Sequence, residues 1–382
     1  MAKKIIPYNR QSINKNDINE VNKVLKSSFL TQGPKNKIFC KKISNYTNSK
    51  YSLVLNSASS ALQIACLAMN LNRNDILWTS ANTFVSSATA GVHCGAKIDF
   101  VDIDLETGNL SIIDLERKLK SAKKKKSLPK ILIVVHFAGI SCDMKKIKNL
   151  SKKYKFKIIE DASHALGSKY YGNKIGSCKY SDACIFSFHP IKSITTFEGG
   201  AITTNSKKIY ELSKLLSDHG IVRNISKKRK WLYDQKFLGF NFRLNDVSCA
   251  IGISQLLRLE KFVKIRNNIA NFYFKNLRDL PINLPIIPSN ILSSFHLFVI
   301  SIKNLKRDDF YNFMLKRGIK LQYHYIPVYK QTFFKKKYKF NERNFLNMEE
   351  YFNNSISLPI YVDLKKNDLI RIVNEIKNFF KK

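Results

Sequence analysis

The stretch YSLVLNSASSALQIACLAMNLNRNDILWTS, from Tyr51 to Ser80, decides the fold class. It opens on a short β-rich run, continues through a helical segment and closes on a second β-rich run. The same alternation continues to Asn205 through KIDFVDID, LPKILIVVHFAG, MKKIKNLSKKYKF, KIIEDAS, DACIFSF and GGAITTN. Short apolar runs separated by helices are typical of a mostly parallel sheet that is covered on both faces. The sequence therefore predicts an α/β fold.

A change of character near residue 256 predicts a second, smaller domain. From there one long helical segment, QLLRLEKFVKIRNNIANFYFKNL, leads into the proline-rich LPINLPIIPSN, and further β-rich and helical segments follow. We expect residues 1–255 to form a large domain with an N-terminal arm over residues 1–30. Residues 256–382 are then expected to form a small α+β domain.

The charge of the chain raises the question of a nucleic-acid or membrane partner. There are 66 Lys and Arg against 28 Asp and Glu, a formal net charge of +38, and such a surface could bind polyanions. The basic runs at residues 123–126, 227–230 and 335–339 are far apart, however, and lie in loop-like or amphipathic segments. We interpret them as solvated faces and expect neither nucleic acid nor a membrane as partner, although some of the charge could attract an anionic substrate.

Cysteine usage and apolar runs indicate the compartment. The seven cysteines include no C-x-x-C pair and mostly lie beside apolar or small residues, which is typical of free thiols in a reducing environment. The opening MAKKIIPYNR lacks the apolar core of a signal peptide. No apolar run approaches the length of about 18 residues that a membrane span needs. We therefore expect a soluble cytoplasmic protein, and we predict no metal site.

Two predicted strand ends carry residues suited to a ligand, and ligands of open α/β sheets gather at such ends. After LVLN, Ser57 and Ala58 open a helix whose free N–H groups could hold an anion, although an ordinary helix-capping serine also explains this stretch. The strand in KIIEDASH ends in Glu160 and Asp161, followed by His164. A buried carboxylate needs a cation or hydrogen-bond donors, so Asp161 either meets a cationic ligand group or forms a structural cap or salt bridge.

A third strand end is followed by an isolated lysine. The stretch FSFHPIKSITTFEGG, from Phe186 to Gly200, places Lys192 among apolar and small residues. Apolar surroundings lower the pKa of a lysine amine, and only the neutral amine attacks a carbonyl. An anion-binding helix start, a strand-end carboxylate and such a lysine match the phosphate, the pyridinium and the aldehyde of pyridoxal 5′-phosphate (PLP). The sequence therefore predicts a PLP site.

At these residues the chain resembles the DegT-type sugar aminotransferases, PLP enzymes of aspartate aminotransferase fold type I. The resemblance covers essentially the whole chain. Besides the stretches above, it rests on SFLTQGP (28–34), NTFVSSATA (82–90), HFAGISCDM (136–144), SDHGIVR (217–223) and GFNFRLNDVSCAIGISQL (239–256). It implies a large domain built on a mostly parallel, seven-stranded type of sheet, and a small C-terminal domain.

The resemblance also implies the roles of single residues. Lys192 matches the lysine that binds PLP covalently and then moves a proton between substrate and cofactor. Asp161 matches the aspartate that pairs with the pyridine nitrogen. The positions that hold the phosphate are matched by Ser57, Ala58 and Ser187.

Three more residues match positions around the cofactor. Phe84 matches the aromatic ring that stacks on the pyridine face. His164 matches a residue beside the PLP ring or its 3-hydroxyl, and a role behind that contact is the alternative. Asn241 matches the asparagine that reaches the phosphate from the neighbouring subunit, which implies a homodimer with shared active sites.

Substrate contacts are expected from His189, Arg243 and Phe197. His189 could contact the substrate or shape the turn before Pro190. Arg243 could bind the carboxylate of the amino donor or the sugar diphosphate, or pair with Asp246. Phe197 stands where relatives frequently carry a small residue, so we expect an altered acceptor pocket. Close backbone approach or positive φ is expected at Gly33, Gly199 and Gly200.

The resemblance implies transamination, because the dehydratases of the family carry histidine in place of the lysine that Lys192 matches. The usual substrates are a nucleotide-linked keto-6-deoxysugar and L-glutamate. The version of the lysine loop in residues 186–200 is most similar to that of the 4-aminotransferases of pseudaminic acid biosynthesis, and relatives that serve lipid A aminoarabinose share part of it. The alternatives are another UDP- or dTDP-ketosugar, a basic non-catalytic binding protein, and a PLP-containing regulator. The N-terminal 30 residues are too short for a regulator's DNA-binding helix pair.

Overall fold

The computed structural model describes residues 5–223, 225–302 and 307–381. The strands in chain order are β1 (Tyr51–Leu55), β2 (Ile76–Ser80), β3 (Lys97–Val101), β4 (Ile131–Val135), β5 (Lys157–Asp161), β6 (Lys169–Tyr170), β7 (Asn173–Lys174), β8 (Ala183–Ser187), β9 (Gly200–Thr204), β10 (Ile221–Arg223), β11 (Tyr233–Gln235), β12 (Ile282–Asn283), β13 (Ile291–Leu292), β14 (Phe298–Ile302) and β15 (Ser355–Leu358). The helices are α1 (Lys15–Leu25), α2 (Pro34–Thr47), α3 (Ala58–Ala68), α4 (Val85–His93), α5 (Ile112–Lys124), α6 (Met144–Tyr154), α7 (Lys207–Ser217), α8 (Asp246–Leu256), α9 (Leu259–Leu277), α10 (Arg307–Lys316), α11 (Thr332–Lys337), α12 (Leu346–Asn354) and α13 (Lys366–Phe380).

The largest sheet in the described part of the chain has seven strands, in the order β1-β9-β8-β5-β4-β2-β3. The strands from β8 to β3 pair in parallel, whereas β9 runs antiparallel to its neighbours β1 and β8. The predicted α/β class with a mostly parallel sheet is confirmed.

Strand β4 shows why both faces of this sheet are covered. Its side chains alternate between two apolar clusters: Leu132 and Val134 belong to one, and Ile131 and Ile133 belong to the other. Successive side chains of a strand point to opposite faces, so the clusters lie on opposite sides of the sheet. A continuous apolar run such as ILIVV is what a strand buried on both faces requires.

The C-terminal part of the chain forms a separate apolar core around the sheet β12-β14-β15. Two segments pack against a core formed mainly by a distant part of the sequence. Ile6 lies in this C-terminal core and forms an isolated bridge with Ile319, whereas Met348 and Tyr351 pack in the cluster on one face of the large sheet. The division at residues 255 and 256 and the extent of the arm over residues 1–30 stay predictions, and residues 1–4 of that arm lie outside the described residues.

The expectation of one continuous helix over residues 255–277 was wrong. The chain breaks at residues 257–258, between α8 and α9. The fully buried carboxylate of Asp17 lies against this break, where it accepts a hydrogen bond from Ser254 Oγ at 2.6 Å and pairs with Arg258. A buried carboxylate needs partners, and this one takes them from the end of α8 and from Arg258 just before α9. These contacts stabilise the break. They cannot be seen in the pattern of apolar residues in the sequence.

The cysteines and the helices bear on two of the expectations from composition. All seven cysteines are free thiols, and most are buried, which confirms the expectation of unpaired cysteines. In the residues that the structure describes, no helix combines the length and the apolar character that crossing a membrane would require.

Candidate active site

A cavity of about 530 Å³ lies where β1, β4, β5 and β8 end, and this volume suits a small ligand. The carboxyl ends of these strands meet at one edge of the sheet, and this is the place where open α/β sheets bind ligands. The predicted site residues that line it are Ser57, Ala58, Phe84, Asp161, His164, Ser187, His189 and Lys192. Those that do not line it are Asn241, Arg243 and Phe197.

Lys192 follows β8 in a turn closed by a hydrogen bond from its backbone N–H to the carbonyl of His189, at 2.9 Å. The side chain is partly buried, and its amine makes no hydrogen bond and no ion pair within the described residues. Burial lowers the pKa of Lys192 to about 8, and the nearby carboxylate of Asp161 acts in the opposite direction. A lysine with a lowered pKa can act as a nucleophile near neutral pH.

Asp161 ends β5 with its side chain in the cavity and is only 6% exposed. Its Oδ2 accepts a hydrogen bond from Ser87 Oγ at 2.6 Å. Its Oδ1 accepts from the backbone N–H of Ser163 at 3.1 Å and from Ser163 Oγ at 2.6 Å. These donors are neutral and hold the carboxylate in place without neutralising it, so it can stabilise a cationic ligand group.

Glu160, the neighbour of Asp161, points to the opposite face of the sheet. Its Oε2 lies 2.7 Å from His136 Nε2, and its Oε1 accepts a hydrogen bond from Ser181. His136 accepts the N–H of Cys142 at Nδ1, so its proton is on Nε2 and is donated to Glu160. Of the two strand-end acids, Glu160 is therefore bound to protein groups, whereas Asp161 faces the cavity.

The start of α3 forms one end of the cavity. Ser57 caps this helix, because its Oγ accepts the N–H of Ser60 at 3.1 Å. The N–H of Ala58 lies in the first turn, where an α-helix leaves its amides without partners and carries partial positive charge. A Cβ on Gly200 would lie 2.5 Å from this nitrogen, so the strand approaches the helix start only because residue 200 is glycine. Both functions expected of Ser57, capping and exposing an anion site, are compatible in this geometry.

Aromatic and imidazole rings also line the cavity. Phe84 precedes α4 and is 55% exposed, and its ring centroid lies 5.9 Å from that of Tyr325. His164 is buried and packs against His296 at a centroid distance of 4.3 Å. His189 lines the cavity and is partly exposed, with its Nε2 4.0 Å from Glu198 Oε1.

The remaining predicted substrate residues lie elsewhere. Arg243 pairs with Asp218, so the expected alternative of a pair with Asp246 was wrong. Asp246 instead accepts the N–H of Gly33 at 2.8 Å, where α2 begins. Phe197 is half exposed and has a φ of 66°. Asn241 is exposed and does not line the cavity.

The structure adds residues to the site that the sequence did not indicate. They come from the N-terminal segment and from the C-terminal stretch LQYHYIP, and include Tyr8, Gln322, Tyr323, His324 and Tyr325. The only signal in the sequence is the concentration of hydrogen-bonding aromatic residues in that stretch. It carried no prediction, because nothing local shows which cavity such side chains face.

The residues present fit PLP. The cavity contains a lysine amine that has no partner among the described residues, a buried carboxylate held by neutral donors, a helix start approached by glycine and an exposed aromatic ring. These groups suit the aldehyde, the pyridine nitrogen, the phosphate and the ring face of the cofactor. Fold and site together define a PLP-dependent enzyme of the aminotransferase class.

The chain belongs to the DegT/DnrJ/EryC1/StrS aminotransferase family, whose profile matches residues 11–377. It is 39% identical over 368 residues to the UDP-4-amino-4,6-dideoxy-N-acetyl-β-L-altrosamine transaminase of Campylobacter jejuni subsp. jejuni, covering 95% of this chain and 94% of that protein. The transaminase of the same name from Helicobacter pylori is 32% identical over 384 residues, covering 98% and 97% of the two chains.

Solved structures agree with this assignment. Helicobacter pylori PseC, an aminotransferase involved in the biosynthesis of pseudoaminic acid, has a TM-score of 0.89 and 30% identity, and covers 99% of this chain and 100% of its own. The PLP form of the putative sugar aminotransferase Spr1654 from Streptococcus pneumoniae has a TM-score of 0.90 and 27% identity, with 99% of both chains covered. Members of this family use PLP, so the predicted family, enzyme class and cofactor are confirmed.

Proposed function

We propose that this protein transfers an amino group from L-glutamate to the 4-keto carbon of a nucleotide-linked 6-deoxy ketosugar. The acceptor we propose is UDP-4-keto-6-deoxy-N-acetyl-β-L-altrosamine of the pseudaminic acid pathway. The observation that carries the reaction class is the amine of Lys192, which shares one cavity with Asp161 and has no partner in the described part of the chain. The choice of sugar is supported by the names of the relatives from Campylobacter jejuni and Helicobacter pylori.

Each part of the cavity would hold one part of the cofactor. Lys192 would bind the aldehyde carbon, Asp161 the protonated pyridine nitrogen and Phe84 the ring face. The phosphate would lie at the start of α3, against Ala58 and the hydroxyls of Ser57 and Ser187. Bound PLP supplies an electron sink that acidifies the Cα–H of an attached amino acid.

The amine of Lys192 then performs the proton transfer. Its Nζ would take the proton from Cα of the donor and pass it to the cofactor carbon, and in the second half of the reaction it would move a proton in the opposite direction. Both transfers need an amine that can change its charge near neutral pH. With a pKa of about 8, about one-tenth of the amine is neutral at pH 7, against about three parts in ten thousand for an amine with a pKa of 10.5. Burial of Lys192 therefore makes the neutral form several hundred times more abundant.

The proposed active unit is a homodimer with shared sites. Asn241 would reach the phosphate of the neighbouring subunit, and its exposure in the single chain supports this role. Two exposed apolar side chains precede it in sequence, Phe237 and Leu238, the latter at 86% exposure. Leu30, whose carbonyl accepts the N–H of Asp246, is exposed as well. Exposed apolar residues of this size mark protein interfaces. The seven free thiols support a cytoplasmic location.

The test is amino transfer to a panel of acceptors. Purified protein with PLP and L-glutamate is offered UDP- and dTDP-linked 4-keto- and 3-keto-6-deoxysugars, and amino sugar and 2-oxoglutarate are measured by mass spectrometry. We expect conversion of the UDP-linked 4-keto sugar, and none with Lys192→Ala. Conversion of a dTDP-linked sugar alone would refute the proposed acceptor. No glutamate-dependent conversion of any ketosugar would refute the proposed reaction.

A further inference from the structure

Helices α3 and α4 pack side by side, and both begin next to the cavity. Near these starts, Ser59 Oγ of α3 lies 2.7 Å from Ser86 Oγ of α4. Cys66 follows Ser59 by seven residues, and Cys94, just after the last residue of α4, follows Ser86 by eight. At about 1.5 Å per residue these two steps are nearly equal in length. Both cysteines therefore lie at the far ends of the two helices, away from the cavity.

The two thiols meet at these far ends. Cys94 Sγ lies 3.9 Å from the carbonyl oxygen of Gln63, and Gln63 is three residues before Cys66, on the same face of α3. Cys66 is fully buried, and Cys94 packs partly exposed against the same apolar cluster. A hydrogen bond with Cys94, together with burial, raises the pKa of the Cys66 thiol well above its usual value. A protonated thiol is thus in contact with one that solvent can reach.

The other partly exposed cysteine of the chain, Cys40, has different surroundings. Its Sγ lies 3.8 Å from Asn36 Oδ1, and burial raises the pKa of this thiol to about 11. The remaining four cysteines are buried. An accessible thiol in hydrogen-bonding contact with a second thiol is therefore found at Cys94, and Cys40 supplies a comparison of similar exposure.

We propose that Cys66 and Cys94 form a redox modification site, at which a peroxide produces a reversible disulfide that ties α3 to α4. The sulfur of Cys94 attacks one oxygen of the peroxide, the O–O bond breaks, and water leaves a sulfenic acid behind. The sulfur of Cys66 then attacks the sulfur of that acid, the S–O bond breaks, and a second water carries away the thiol proton. In total, the two thiols lose two electrons to hydrogen peroxide, and one disulfide and two waters result.

Such a bond would join the two helices whose starts flank the cavity. Helix α4 also carries Ser87, which donates to Asp161, so the link would fasten this support to α3. A disulfide restricts the unfolded chain, and a loop from residue 66 to residue 94 should raise the midpoint of thermal unfolding by about 5 °C. Disulfides of reducing compartments are usually transient and redox-sensing, which fits a bond that a dithiol removes by exchange.

The experiment uses the full-length protein with PLP added, first reduced and then treated with hydrogen peroxide. Remaining thiols are blocked, and tryptic peptides are mapped by mass spectrometry. Cleavage after Lys50, Arg73 and Lys97 places the two cysteines in separate peptides that contain no other cysteine, so the disulfide appears as a linked pair. Thermal unfolding is recorded before oxidation, after oxidation and after addition of dithiothreitol.

We expect the linked peptides and a midpoint about 5 °C higher in oxidised wild type, both reversed by dithiothreitol. Cys94→Ser should show neither the link nor the rise. Cys40→Ser is the matched control, because it removes the other partly exposed thiol, and it should behave like wild type.

Oxidised wild type without the linked peptides would overturn the proposal, whether Cys94 remains a thiol or is found only as sulfinic acid. Linked peptides without a higher midpoint would also overturn it, because the bond would then form in a distorted or unfolded chain. Loss of the link in Cys40→Ser would show that Cys40, and not Cys94, reacts first with the peroxide. The site does not depend on the proposed function, so amino transfer can fail or succeed independently of these results.

Discussion

Lys192 shows at the scale of one residue how burial produces reactivity. Its pKa is lowered to about 8 mainly by burial, so the fraction of neutral amine rises steeply between neutral and mildly alkaline pH. We predict that the rate at which cofactor-free protein captures PLP increases with pH and levels off above a midpoint of about 8. Stopped-flow absorbance across pH about 6–10 measures this rate. A midpoint near 10.5, the value of an exposed lysine, would show that Lys192 is not desolvated.

A functional role could be predicted from sequence for residues whose polarity differs from that of their sequence neighbours. Lys192 lies among apolar residues and Asp161 ends a buried strand, so both could be singled out before the fold was known. Tyr325 could not, because it reaches His164 across more than a hundred residues of chain and no local pattern records that contact. Asp218 could not be singled out as the partner of Arg243 for the same reason, since the two residues are brought together only by the folded chain.

Among the elements, strand β5 ends in two acids, Glu160 and Asp161, whose side chains lie on opposite faces of the sheet. We predict that Asp161→Asn lowers kcat/KM about a thousandfold, since a buried cationic group would lose its partner. Glu160→Gln is the matched control. It should retain activity and instead lower the free energy of unfolding by about 1–3 kcal/mol, because its bonds to His136 and Ser181 are weakened.

Steady-state kinetics and urea denaturation of the two variants measure these effects. Equal loss of activity in both would contradict the assignment of one acid to the cavity and the other to the protein interior. The strands of the large sheet were predictable from sequence, because a strand buried on both faces must be apolar until it reaches the edge of the sheet. The break at residues 257–258 was not, since it depends on buried Asp17 from a distant helix.

At the scale of the whole molecule, the proposed dimer makes a prediction by subunit mixing. Lys192→Ala and Asn241→Ala should each be strongly impaired alone. In a mixed dimer, the subunit with Asn241→Ala keeps its own Lys192 and receives Asn241 from the other chain, so one site is intact. Random mixing in equal amounts should therefore restore about a quarter of wild-type activity.

The control mixes Lys192→Ala with Asp161→Asn, which leaves every site defective in any dimer. Native mass spectrometry confirms that mixed dimers form in both experiments. Mixed dimers of the first pair without activity would show that Asn241 acts within its own subunit or not at the phosphate. Arrangements of this scale lie beyond what sequence patterns or one chain can predict, because the residues that meet belong to different molecules.

Covalent labelling tests most directly whether Lys192 is the residue that carries the cofactor. Reduction of the PLP-loaded protein with borohydride fixes the cofactor on the amine that holds it, and peptide mass mapping then identifies that amine. We predict a pyridoxyl group on the peptide containing Lys192 and on no other lysine at stoichiometric PLP, and its loss in Lys192→Ala. Labelling of other lysines instead, or a wild-type protein without a label, would contradict the account.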